Sequence, residues 1–279
     1  MPQLDEVSYS REATIAAVRE YYRFLTRMYL NECYVAEPPE EGWPEINTEA
    51  LSGLGKTDEV ISLLRHLPYI RASSDWVYEG APGCRFADWR DIAHSIALGE
   101  LPAEDLRSTT EGGLPESISP HVVGLTDGGF RNLAFLLDTK LGIIYWDDCH
   151  SDIKNNPPRE PIIGDEYEDD SDVEIMNWRL DESVAWTIPD FFEILKGQFR
   201  QLNYVPISPR KVYHADVIEQ LMSRAGQGRE GLPMVQAVYR AHGWPDMERY
   251  RKQDCLKAVQ DLFEERCPDY ADSRRYDDE

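Results

Sequence analysis

Four polar residues, Asp147, Asp148, Cys149 and His150, close the apolar run GIIYW and offer both the ligand types of a metal site and the thiol and imidazole of a nucleophilic pair. Successive side chains on an extended segment point to opposite faces, so only Asp148 and His150 can share one. A metal would then need further ligands from His121, Asp127 or the acidic stretch downstream. Catalytic Cys and His are neighbours in space and seldom in sequence, so the juxtaposition of Cys149 and His150 carries little weight. A polar strand end entering a loop accounts for the cluster more simply.

A second candidate is ALSGLGKT, Ala50 to Thr57, which fits a loose phosphate-loop pattern, with LAFLLD ending at Asp138 in the place of a magnesium-holding strand. Such a loop works when a buried strand delivers the backbone into a Gly-rich turn that opens a helix, so that its N–H groups face the phosphates. GWPEINTE supplies no apolar strand here, and Lys56-Thr57 reads as a helix start. The six histidines show no H-x-x-x-H or H-E-x-x-H spacing, and Cys84 beside Arg85 reads as a packing thiol. No metal and no cofactor is expected.

The elements that must position these residues follow from periodicity. Ser10 caps a helix over 11–31 whose Ile15, Val18, Tyr22, Leu25 and Tyr29 share a face. Thr57 caps a second, DEVISLLRHL, stopped by Pro68, and Phe86, Trp89, Ile92, Ala93 and Ile96 mark a third over 85–98 that Gly99 closes. The pattern then changes. HVVGLT, LAFLLD and GIIYW are short β-branched and aromatic runs separated by turn residues, which predicts a meander over 121–126, 133–138 and 142–146, with Gly142 in the left-handed position of the hairpin. TIPDFFEILKGQFRQL predicts a helix over 189–202 that packs on the sheet, and three more helical patterns follow. The fold class is α+β, with a mainly antiparallel central sheet, flanking helices and a helical C-terminal subdomain. The expected organisation is an N-terminal helix and connector over 1–44, a core over 45–203 with an acidic insertion at 154–182, and helices over 204–279.

The 279 residues carry 52 acidic against 29 basic side chains, a formal charge of −23. That balance repels nucleic-acid phosphates and anionic membranes, so neither is an expected partner, and it favours a basic protein. The five cysteines are scattered without a C-x-x-C pair, which fits reduced thiols and a cytoplasmic location. No window approaches the ~20 apolar residues of a membrane span.

In order, LLRHLPYI, HVVGLTDGG, LAFLLDTKLGIIYW, a long acidic loop and AWTIPDFFEILKGQFRQL resemble the SUKH superfamily, which takes its name from a yeast cell-wall-synthesis regulator and bacterial toxin-immunity proteins. The resemblance covers roughly 45–203. It implies a non-enzymatic α+β module, a sheet crossed by a helix, that binds another protein through one sheet face and the adjoining loops. The chain also resembles filamentous-fungal proteins that share GLGKTDEVISLLRHLPYI, FLLDTKLGIIYW and YRAHGWPD, from which no function carries over.

Two functions stay open. The first is an interaction or regulatory module whose acidic surface includes Asp165, Glu166, Glu168, Asp169, Asp170 and Asp172, a field that steers a basic partner. The second is a cofactor-free cyclase or isomerase with an apolar pocket drawn from Trp76, Trp89, Trp146 and Trp186, with Asp148 and His150 beside it.

Overall fold

The computed structural model describes residues 2–71, 76–111, 118–127, 133–147, 149–162, 184–226 and 230–271. The first elements are α1 (Arg11–Met28), β1 (Val35–Ala36), α2 (Asp58–His66), β2 (Tyr69–Ile70), β3 (Glu79–Ala81), β4 (Cys84–Arg85), α3 (Trp89–Ala97) and α4 (Ala103–Thr110). The central run is β5 (Val122–Gly124), β6 (Phe135–Asp138), β7 (Ile143–Trp146), α5 (Ser151–Asn155) and β8 (Val184–Thr187). It leads into α6 (Ile188–Gln201), β9 (Tyr204–Pro206), β10 (Val212–His214), α7 (Ala215–Arg224), α8 (Gly231–Ala241) and α9 (Lys252–Arg266). No helix of the described residues is long and apolar enough to cross a membrane.

The chain forms two compact units. The first gathers Met1–Tyr21, Val35–Ala72 and Cys84–Ile194, and the second Tyr22–Tyr34, Ser73–Gly83 and Leu195–Glu279.

At the centre of the first unit is an antiparallel sheet in the order β5-β6-β7-β8. The meander read from the sequence is present and gains a fourth strand, β8, in which Ile143 pairs with Thr187 and Trp146 with Val184. Val122, Leu136, Ile143 and Tyr145 face one way, into a cluster with Ile118 and Leu141. Phe135, Trp146 and Trp186 face the other, where Phe191 of α6 meets Phe135 and Trp146 edge to face at 4.9 and 5.9 Å. Burial on both faces is why β6 and β7 read as unbroken apolar runs. Their hairpin is fixed by Asp138, whose Oδ1 accepts the N–H groups of Lys140 and Leu141 at 2.8 and 2.9 Å, and by Gly142 at φ +76°. A Cβ on Gly142 would lie 2.8 Å from the backbone of Ser8 and Tyr9, so this glycine answers a close approach as well as a turn.

The helix caps expected from the sequence are in place. Ser10 Oγ accepts from Ala13 N at 3.3 Å and Thr57 Oγ1 from Val60 N at 3.3 Å. The third helix starts later than its apolar stripe, at Trp89, because the Asp88 carboxylate takes the N–H groups of Arg90 and Asp91 and sets the N-terminus there.

In the second unit, β9 and β10 form an antiparallel hairpin with Tyr204 opposite His214 and Pro206 opposite Val212. The helices α7, α8 and α9 follow it, as the C-terminal periodicity predicts. Tyr239 donates to Pro206 O at 2.5 Å and Trp244 Nε1 to Phe199 O at 3.1 Å, so each large aromatic buries its ring while its polar atom is satisfied. Lys252 donates to Thr26 O and Leu30 O at 2.9 and 2.7 Å, where carbonyls at the end of α1 lack helical partners.

Candidate functional site

Glu79 is a carboxylate 5% exposed at the start of β3, in a segment, YEGA, that is otherwise buried. An ion so placed must be compensated by hydrogen bonds and an opposite charge. Its backbone is held first: Glu79 N donates to Arg210 O at 2.9 Å, and the Tyr29 hydroxyl donates to Glu79 O. The carboxylate then takes Lys211 Nζ on Oε1 at 2.5 Å and Val212 N on Oε2 at 2.8 Å. Burial pushes the Glu79 carboxyl above the usual range, and Lys211, Val212 N–H and Gly83 N–H oppose that rise.

Both cations beside Glu79 come from the short loop joining β9 to β10, ISPRK. Ser208 Oγ accepts from Arg210 N at 3.3 Å and Lys211 N at 3.1 Å, while Ile207 N donates to Lys211 O at 2.9 Å. A hydroxyl that closes a turn on the residues following it is the local device that fixes this loop. It holds the Arg210 guanidinium 3.8 Å from the centre of the Trp76 ring and Lys211 Nζ 5.6 Å from that of Tyr213.

These residues line an open recess of about 340 Å³, walled by Val77, Glu79, Ile207, Arg210, Lys211, Tyr213, Asp269, Tyr270 and Ala271. The large hydrophobic residues left exposed among the described ones are Val77, Leu98, Val217 and Tyr270, and two of them, Val77 at 49% and Tyr270 at 36%, stand in this wall. The recess therefore combines apolar contact area, two cations held by their neighbours and a braced carboxylate.

The residues singled out by the sequence are distributed otherwise. Trp76 lies at this site, under Arg210. Trp89, Trp146 and Trp186 are packed in the first unit's core: Trp89 Nε1 donates to Gly124 O and Trp186 Nε1 to Arg159 O, each at 3.1 Å, and Trp146 meets Trp186 edge-on at 6.3 Å. His150 ends no strand. It caps α5, its Nδ1 accepting from Asp152 N at 3.4 Å. Asp148, together with Asp165, Glu166, Glu168, Asp169, Asp170 and Asp172, lies outside the described residues. Residues 47–57 form turns and a 3-10 segment, and Lys56 is nearly buried in an ion pair with Glu111 at 2.5 Å. A lysine so held does not reach out to a phosphate.

The site itself was missed at the sequence level. YVPISPRKVYH carries a legible hairpin signal, two apolar runs around Ser-Pro, but Glu79 has no marker within its own segment.

Comparisons with protein-family models, with curated proteins and with solved structures give no match.

Proposed function

We propose that the protein is a non-enzymatic protein-interaction module and that the recess of its second unit is a docking place. The observation that carries this reading is the convergence of the exposed Val77 and Tyr270 on one cavity that also presents Arg210 and Lys211. Contact surfaces between proteins combine apolar and aromatic area with Arg in this way, and an exposed apolar group gains most by being covered there. The module reading is favoured over a pocket enzyme because the carboxylate facing the recess is built in as a brace. Glu79 holds Lys211 and the backbone of β10, the work of a strut and not of a general base.

A four-stranded antiparallel sheet with α6 packed on it through Phe191 is the arrangement that the SUKH resemblance implies, and it supports the same reading. The formal charge of −23 favours a partner of net positive charge, which it would draw in at long range.

A photo-crosslinking residue placed at Val77, and separately at Leu98, tests the proposal in extracts. The expected result is a discrete crosslinked species from position 77 that excess unlabelled chain competes away, and none from position 98. Equal labelling from both positions, or none from either, would overturn it.

A further inference from the structure

We propose that the recess receives an acidic side chain flanked by apolar residues on a partner polypeptide, an inference that rests on the interaction-module reading above. The chain is strongly acidic, yet two consecutive cations, Arg210 and Lys211, line this recess, the first at Trp76 and the second paired with Glu79. The Ser208 turn fixes their backbone before any ligand arrives, which lowers the ordering cost of binding. The Trp76 ring, 3.8 Å from the Arg210 guanidinium carbon, restrains where that group sits, and the planar guanidinium presents its N–H groups as a fork that matches a carboxylate.

The opposing charges in the wall are Glu79 and Asp269. Glu79 is turned into the Lys211 and Val212 contacts and buried, so it acts on that pair, while Asp269 is exposed at the rim and repels an incoming anion. Val77 and Tyr270 supply the apolar walls for the residues flanking the acidic one. At about 340 Å³ the recess has room for a few side chains, near the lower end of the ~300–1,000 Å³ range of ligand cavities. Long-range attraction and local contact are separable: the net charge governs how fast a basic partner arrives, and the recess selects which of its segments docks.

The test is selection of short random peptides, displayed on phage, against the full chain at ~0.15 M salt, where the Debye length of about 8 Å suppresses the field of the distant charges. The enriched peptides are expected to carry Asp or Glu beside Leu, Ile, Val or Phe. A synthetic copy of the most enriched one should bind about tenfold more weakly to Arg210→Gln, the loss of one charge-assisted hydrogen bond. It should bind about two- to threefold more tightly to Asp269→Asn, which removes a rim charge of like sign. That gain separates a binding role from a folding defect, since a damaged fold does not raise affinity. Enrichment of basic peptides, an affinity that ignores both substitutions, or full competition by millimolar acetate would overturn the inference. A species captured at Val77 whose binding ignores Arg210 and Asp269 would sink the acidic-residue assignment and leave the interaction module standing. No capture at Val77 would sink both.

Discussion

Glu79 and Lys211, 132 residues apart in the chain, meet at 2.5 Å, and their contact fastens β3 to the loop that bears both cations of the recess. Burial raises the Glu79 pKa against the opposing pull of Lys211. A folded-state pKa above the unfolded one means that the linked stability is fully present below the ordinary carboxyl range and is lost as pH rises through the folded-state value. Urea unfolding of the wild type and of Glu79→Gln across a pH series should therefore give a stability difference that declines from the ordinary carboxyl range upward and then levels. A difference that grows with pH would mean that Lys211 outweighs burial.

The Lys56–Glu111 pair is buried on both sides, at 1% and 3% side-chain exposure. Glu111→Ala removes the ion-pair partner of a buried ammonium and should cost about 3–5 kcal/mol, while the double change Lys56→Met with Glu111→Leu should recover most of that loss. Thermal or urea unfolding of the three chains checks this. A single variant as stable as the wild type would contradict the pairing. The same geometry predicts that a magnesium–ATP titration of the wild type gives no heat that depends on Lys56.

Among the five free cysteines, Cys33 is exposed and Cys84, Cys149, Cys255 and Cys267 are buried. Burial pushes the Cys255 thiol up to about 11, against a hydrogen bond with Tyr250 and the charge of Arg251. Since the thiolate is the reactive form, a disulfide reagent near neutral pH should titrate one thiol per native chain rapidly and all five after denaturation. Cys33→Ser should remove the fast phase.

Two glycines predict effects of opposite sign. Gly142→Ala forces a side chain into positive φ and against the backbone of Ser8 and Tyr9, and should cost about 1–3 kcal/mol. Gly197, inside α6, has nothing within 4 Å of its would-be Cβ, so Gly197→Ala should stabilise by about 0.4–1 kcal/mol. Melting temperatures of the two variants decide both.

What the sequence made legible was what neighbouring residues determine. Thr57 announces α2 because a cap acts within one turn, and Asp138 with Gly142 announces the β6–β7 hairpin because both ends of that loop are local. β8 escaped because VAWT, four residues between an acidic tract and Pro189, has no pattern of its own and is a strand only through its register with β7. The recess escaped for a related reason. A glutamate in YEGA reads as surface until Lys211 and Val212 are brought to it, and no residue near Trp76 predicts that Arg210 will lie over it. The tryptophans Trp89, Trp146 and Trp186 were equally legible as pocket or core, and only their packing partners place them.

The central claim, that the recess of the second unit is a docking place, is tested most directly by the affinity of the partner captured at Val77 for three chains: wild type, Val77→Asp and Leu98→Asp. Both substitutions put a charge on an exposed hydrophobic position, so their effects on solubility and net charge match. Val77→Asp should weaken binding at least about tenfold, as expected for an apolar contact replaced by a desolvated charge, and Leu98→Asp should leave it unchanged. Equal affinity of all three chains, or equal loss in both variants, would contradict the account.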